Sequence, residues 1–136
     1  MVVMGKIDMN KKWFVTSLVF SYLLEDSMKQ NVFPMEEIYI LVYADDLSVI
    51  KEANIIGKSY EDNNLLINNN KGFSKYEGVC KVVEVLDECF NLDISCNGME
   101  LSYTYVEFNK YKDILDYIND KKGVSGVLYP NMGNNL

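Results

Sequence analysis

Trp13-Phe14-Val15-Thr16-Ser17-Leu18-Val19-Phe20-Ser21-Tyr22-Leu23-Leu24 decides the fold, because it admits two readings. Preceded by Met9-Asn10-Lys11-Lys12, it has the outline of a secretory signal: a basic start, then an apolar run. Against that, Thr16, Ser17, Ser21 and Tyr22 interrupt the run, and Glu25-Asp26 follows where a small-residue cleavage site would be needed. The run is also too short to span a bilayer as a helix. Its aromatic and β-branched residues favour a strand. Under period-two spacing Phe14, Leu18, Phe20, Tyr22 and Leu24 share one face, and Trp13, Val15 and Val19 the other. Two apolar faces predict a central strand, covered on at least one side.

On its N-terminal side, residues 1–10 read as a disordered leader. On its C-terminal side, 25–34 reads as a polar loop that Pro34 helps to end. A second strand follows over 37–44, where Ile38, Ile40 and Val42 alternate with Tyr39, Leu41 and Tyr43. Asp45 or Asp46 is suited to cap a helix whose inner stripe is Ile50, Ala53, Gly57 and Tyr60. Gly57 either lets that helix lie close to a sheet or stops it. Leu65-Leu66-Ile67 is a short strand, and Asn70-Lys71-Gly72 a tight turn. Strands over 76–86 and 99–108 flank Asn97-Gly98, a hairpin signal. Asn109 caps a second helix with a stripe of Tyr111, Ile114, Leu115 and Ile118. Residues 124–136 read as an irregular C-terminal tail, which leaves 11–123 as a single domain. The order β-β-α-β-β-β-α indicates an α+β fold: an antiparallel sheet of about five strands with two helices on one face.

Composition limits the chemistry. The chain has no histidine, and all thirteen of its basic residues are lysines, against twenty Asp and Glu; the formal net charge is −7. Imidazole bases and most zinc sites are thereby removed, as are bidentate arginine clamps on phosphate. The acid excess opposes nucleic-acid binding, which needs a basic stripe, and favours encounter with a basic partner. Cys80 lies in an apolar strand and reads as a small core residue. Cys89 and Cys96 follow no metal spacing; they are able to pair in an oxidising compartment, and reduced thiols in a cytoplasmic setting are the preferred reading.

Few constellations are able to carry catalysis. Asp45-Asp46 reads as helix capping. Glu84, Asp87 and Glu88 are oxygen ligands for a divalent cation, but no EF-hand spacing supports them. Glu36-Glu37 and Glu61-Asp62 read as exposed element ends. Ser125, in Gly123-Val124-Ser125-Gly126, has no histidine to activate it. Tyr103 and Tyr105 share a strand face, with Glu100 and Glu107 near them. They pack a sheet in the ordinary way or form an acid-rimmed binding patch.

The succession of Trp13-Phe14, a strand leading into Asp46-Leu47-Ser48-Val49-Ile50-Lys51-Glu52-Ala53 with Gly57, the Asn70-Lys71-Gly72 turn, Val82-Val83-Glu84-Val85 and Gly98-Met99-Glu100-Leu101-Ser102-Tyr103 resembles a bacterial family of small proteins, domain-of-unknown-function family no. 4288. The resemblance spans about residues 12–108 and rests on structural motifs. It implies no activity. Small acidic single-domain proteins of this type resemble immunity proteins that bind and block toxins.

The expected function is that of a non-enzymatic acidic domain that binds a basic protein, most simply an immunity-type inhibitor of a basic toxin or effector. Its contact residues are Tyr103, Tyr105, Glu100 and Glu107, with Asp87 and Glu88 as rim charges. No cofactor, metal, nucleic acid or membrane is expected. The alternatives are a carboxylate and divalent-metal enzyme, or a structural or ligand-binding homodimer joined at a strand edge.

Overall fold

A computed structural model describes residues 10–86, 92–121 and 125–128. Strands β1 (Lys12–Leu24), β2 (Phe33–Ala44), β3 (Leu65–Ile67), β4 (Asn70–Val85) and β5 (Glu100–Phe108) form an antiparallel sheet in the spatial order β3-β4-β1-β2-β5. Helix α1 (Val49–Ser59) follows β2 and α2 (Tyr111–Lys121) follows β5. The α+β class and the element order are those expected. A further strand, β6 (Ser125–Leu128), runs parallel to the end of β4, with Ser125 opposite Val82. It lies in the segment that reads as irregular. Among the described residues no helix is long and apolar enough to cross a membrane.

β1 is central, as its two apolar faces require. Phe14 to Phe20 are all buried. Directly opposed residues share a face, so Phe14, Leu18 and Phe20 lie with Val42, Ile38 and Glu36, while Val19 and Ser21 lie with Glu37 and Met35. The first face packs under α1 through Val49 and Ala53. The second packs under α2 through Ile114 and Ile118, with Val19, Met35 and Cys80. The helices therefore divide between the two faces instead of sharing one. The reason is visible in β1 itself: both of its faces are apolar, and each needs a cover. Burying one such Leu or Ile contributes about 2 kcal/mol.

α1 is joined to β2 by a reciprocal cap. The Asp45 carboxylate accepts from the Ser48 N–H at 2.8 Å and the Leu47 N–H at 3.0 Å, and the Asp45 N–H donates to Ser48 Oγ at 3.3 Å. Hydrogen bonding from Ser48 holds the Asp45 carboxyl below the usual range. The inner stripe is Val49, Ala53 and Gly57, and Ile50 is exposed. Gly57 belongs to the helix: a Cβ there would lie 2.4 Å from the Tyr76 ring. Close approach, not termination, explains that glycine.

Three turn expectations shift. The left-handed residues of the β3–β4 turn are Asn68 and Asn69, not Asn70 to Gly72. Two adjacent positive φ values give the turn that matches strand twist. Asn97-Gly98 does not close a hairpin, since β4 and β5 are separated by β1 and β2. It docks on β2 instead, with the Gly98 N–H donating to the Leu41 carbonyl at 2.7 Å and the Tyr43 N–H to Asn97 Oδ1 at 2.8 Å. Pro34 lies inside β2, near its start, where a missing ladder donor is tolerated.

β4 carries two surplus residues. Its pairing with β1 slips between Ser17 and Leu18 and again between Val19 and Phe20, so Cys80 and Glu77 have no opposite number. These bulges turn Cys80 and Glu77 toward α2.

Candidate functional site

β5 ends the spatial order of the sheet, and among the described residues no strand pairs with its far side. Its lower face is anchored: Val106 and Phe108 pack on the cluster beneath α2. Above the sheet, α1 packs chiefly over β1, β2 and β4. On the upper face of β5, Tyr103 is opposite Ile38 and Tyr105 opposite Glu36. Glu107 is opposite Pro34. A register shift beside Leu101 returns Glu100 to the side of Ile40. Tyr103 is 60% exposed and Tyr105 51%, far more than core packing would leave. The four described residues expected to meet a partner therefore share one strand and one face. Asp87 and Glu88 lie outside the described residues. Glu84, grouped with them as a cation ligand, is bridged by Lys12 at 3.1 Å, and Lys12 also reaches Asp46 at 3.3 Å.

The patch is wider than the β5 residues alone. The Tyr22 hydroxyl donates to Glu36 Oε1 at 2.7 Å, and the Tyr105 hydroxyl to Glu107 Oε2 at 2.9 Å. Each phenol is held by a carboxylate, which reduces the ordering a partner must impose. Burial raises the Tyr22 phenol first, with Glu36 adding to it. Burial and then Glu107 raise Tyr105 in the same direction. At neutral pH both phenols keep their protons and remain donors to these carboxylates. Tyr22 and Glu36 were findable: Tyr22 continues the Phe14, Leu18, Phe20 face, and Glu36 is two residues before Ile38.

A second set of Tyr–Glu pairs lies under α2. Glu37 is fully buried, not an exposed strand end. Its Oε1 accepts from the Tyr117 hydroxyl, while its Oε2 has no hydrogen-bond partner among the described residues. Glu77 accepts from Ser21 Oγ at 2.6 Å and from the Tyr111 hydroxyl at 2.7 Å, and Lys75 Nζ donates to that hydroxyl at 3.1 Å. Burial, then hydrogen bonding to Glu37, raises the Tyr117 phenol. Tyr39, beside the same carboxylate, is pushed up to about 12 by burial and then by the charge of Glu37. Burial likewise pushes the Cys80 thiol up to about 11, so it is a core thiol with little thiolate character. The polar groups of this seam hold a helix.

Nearby, Leu23, Phe33, Phe73, Lys75 and Tyr111 line a cleft of about 390 Å³. Its cation is already engaged, with Lys75 over the Tyr111 ring and 4.0 Å from Glu77. Among the described residues no group of three or more carboxylates or thiols stands ready to hold a metal ion. Comparison of the chain with protein-family models, with curated proteins and with solved structures finds no match.

Proposed function

We propose that this chain is a non-enzymatic acidic domain that binds a basic protein through the upper face of β5, acting as an immunity-type inhibitor that blocks a toxin or effector. The observation that carries this reading is the open edge strand with Tyr103 and Tyr105 exposed between Glu100 and Glu107. Large amphipathic rings anchor interfaces at small entropic cost, and a rim of carboxylates steers a basic partner toward them. A bacterial cytoplasmic setting, and kinship with family no. 4288, belong to the same proposal.

The test is co-purification of tagged protein at low salt and at about 0.5 M salt, where exposed charge contacts are screened. It is run beside a Tyr103→Ala/Tyr105→Ala variant. A stoichiometric basic protein held at both salts by the native chain, and released from the variant, supports the proposal. Equal retention by the variant removes this face from the account, and the absence of any partner removes the binding function.

A further inference from the structure

We propose that the free edge of β5 takes up an extended basic segment of its partner as an added strand; this rests on the protein-binding reading above and says how the contact is made. A sheet edge offers a row of unpaired N–H and C=O groups, and proteins normally block it with Lys, Pro, a bulge or a covering element. β5 contains neither Lys nor Pro, and its charges are confined to Glu100 and Glu107 toward its two ends. Its single irregularity falls beside Leu101, near one end, and Ser102 to Phe108 keep unbroken register with β2. α2 supports the strand from below through Val106 and Phe108, so the edge is presented by a rigid element.

Charge selects the occupant. Glu100 and Glu107 stand toward the two ends of the edge, on the face that carries Tyr103 and Tyr105. A second copy would bring the same carboxylates and a second net charge of −7, and like charges across a strand pair are destabilising. A basic segment meets both carboxylates favourably. Side chains on one face recur at every second residue. The segment that fits therefore carries Lys or Arg at its first and seventh positions, against Glu107 and Glu100. Apolar or aromatic residues stand at its third and fifth, over Tyr105 and Tyr103.

The probe is the capped peptide Lys-Thr-Val-Thr-Ile-Thr-Lys, titrated into isotope-labelled full-length chain and followed by NMR. Two further versions carry N-methyl groups on alternate amides, one set on odd and one on even positions. An added strand points only one of these sets at β5. The expected result is saturable shifts centred on Ser102–Val106, with one methylated set weakening binding by about tenfold or more and the other leaving it unchanged. A peptide with Glu at both ends should not bind. If both methylated sets bind like the parent, the added strand is overturned, while the protein-binding face of Tyr103 and Tyr105 stands. If no β5 resonance moves with any peptide, while a basic protein still co-purifies through Tyr103 and Tyr105, the added strand alone fails. Doubling of the mass in sedimentation without peptide also overturns it, because the edge is then filled by a second copy.

Discussion

The two faces of the sheet hold their helices by different means. Under α1 the contact is apolar and close: Val49, Ala53 and Gly57 sit on Phe14, Phe20 and Tyr76, and the glycine leaves no room for a Cβ. Under α2 the apolar contact is smaller, and phenols reach down to two sequestered carboxylates, Tyr117 to Glu37 and Tyr111 to Glu77. Shape complementarity tolerates no added volume. A buried polar pair tolerates no lost partner, because the survivor keeps its full desolvation penalty. The same Tyr–Glu pairing recurs on the exposed top of β5, at Tyr105 and Glu107, where water can replace either member. One chemical pair thus serves as a structural clamp beneath the sheet, and stands exposed above it where we propose that a partner binds.

The comparison breaks most sharply at Tyr117. Tyr117→Phe removes a donor from a buried carboxylate that already has one oxygen unpartnered among the described residues, and should cost about 3 kcal/mol in denaturant unfolding. The double variant Glu37→Met/Tyr117→Phe should recover most of that loss, since two apolar groups of similar shape leave nothing unpaired. A double variant no better than the single would show that packing, not polarity, sets the cost. On the other face, Gly57→Ala should cost about 2 kcal/mol by overpacking, after allowance for the better helix propensity of Ala. Its Cβ meets the Tyr76 ring, whose hydroxyl is tied to Asn54 at 2.7 Å. Stabilisation by Gly57→Ala would show that the ring moves freely.

Alkali sharpens the contrast more gently. Tyr39 and Tyr117 have folded-state values above the ordinary one of about 10, so both favour the protonated phenol in the native state. Their contribution is complete below pH about 10 and is lost as the pH rises through the folded values. The Cys80 thiol adds to this loss from about 9, its ordinary value, to about 11. The thermal midpoint should therefore fall as pH is raised from about 9 to 12, and less steeply in Tyr117→Phe. A flat profile would mean that these groups do not ionise on unfolding. The smallest effect on stability is expected at Tyr105→Phe, within about 0.5 kcal/mol, because the residue is half exposed. Its effect should appear instead in partner affinity.

The central strand, the α+β class and the shared face of Tyr103 and Tyr105 were legible from the sequence pattern, whereas the exposure of that face was left open between core packing and a binding patch. The placement of the helices was less legible. Apolar residues on both faces of β1 called for two covers, but α+β proteins commonly gather their helices on one face. The α2 seam was hidden for another reason. Nothing beside Glu37 distinguishes it from half-buried Glu36; what buries it fully is α2, eighty residues further on. Glu77 and Cys80 point toward α2 because of bulges, which period-two reading cannot anticipate. The Asn68-Asn69 turn was missed by two residues because every member of Asn68-Asn69-Asn70 tolerates a left-handed backbone.

Those bulges also make β4 a reserve of chain length. Because Glu77 and Cys80 have no opposite number on β1, deletion of either residue would regularise the ladder without turning any neighbour to the wrong side of the sheet. Elsewhere in the strand, a one-residue loss has to be absorbed by sliding the chain into one of these two loops. Evolution can therefore shorten this strand without changing its register, once Tyr111 or the packing around Cys80 has altered to match. Descendants of a common ancestor should show their one-residue gaps at or beside positions 77 and 80, with β1 keeping its length.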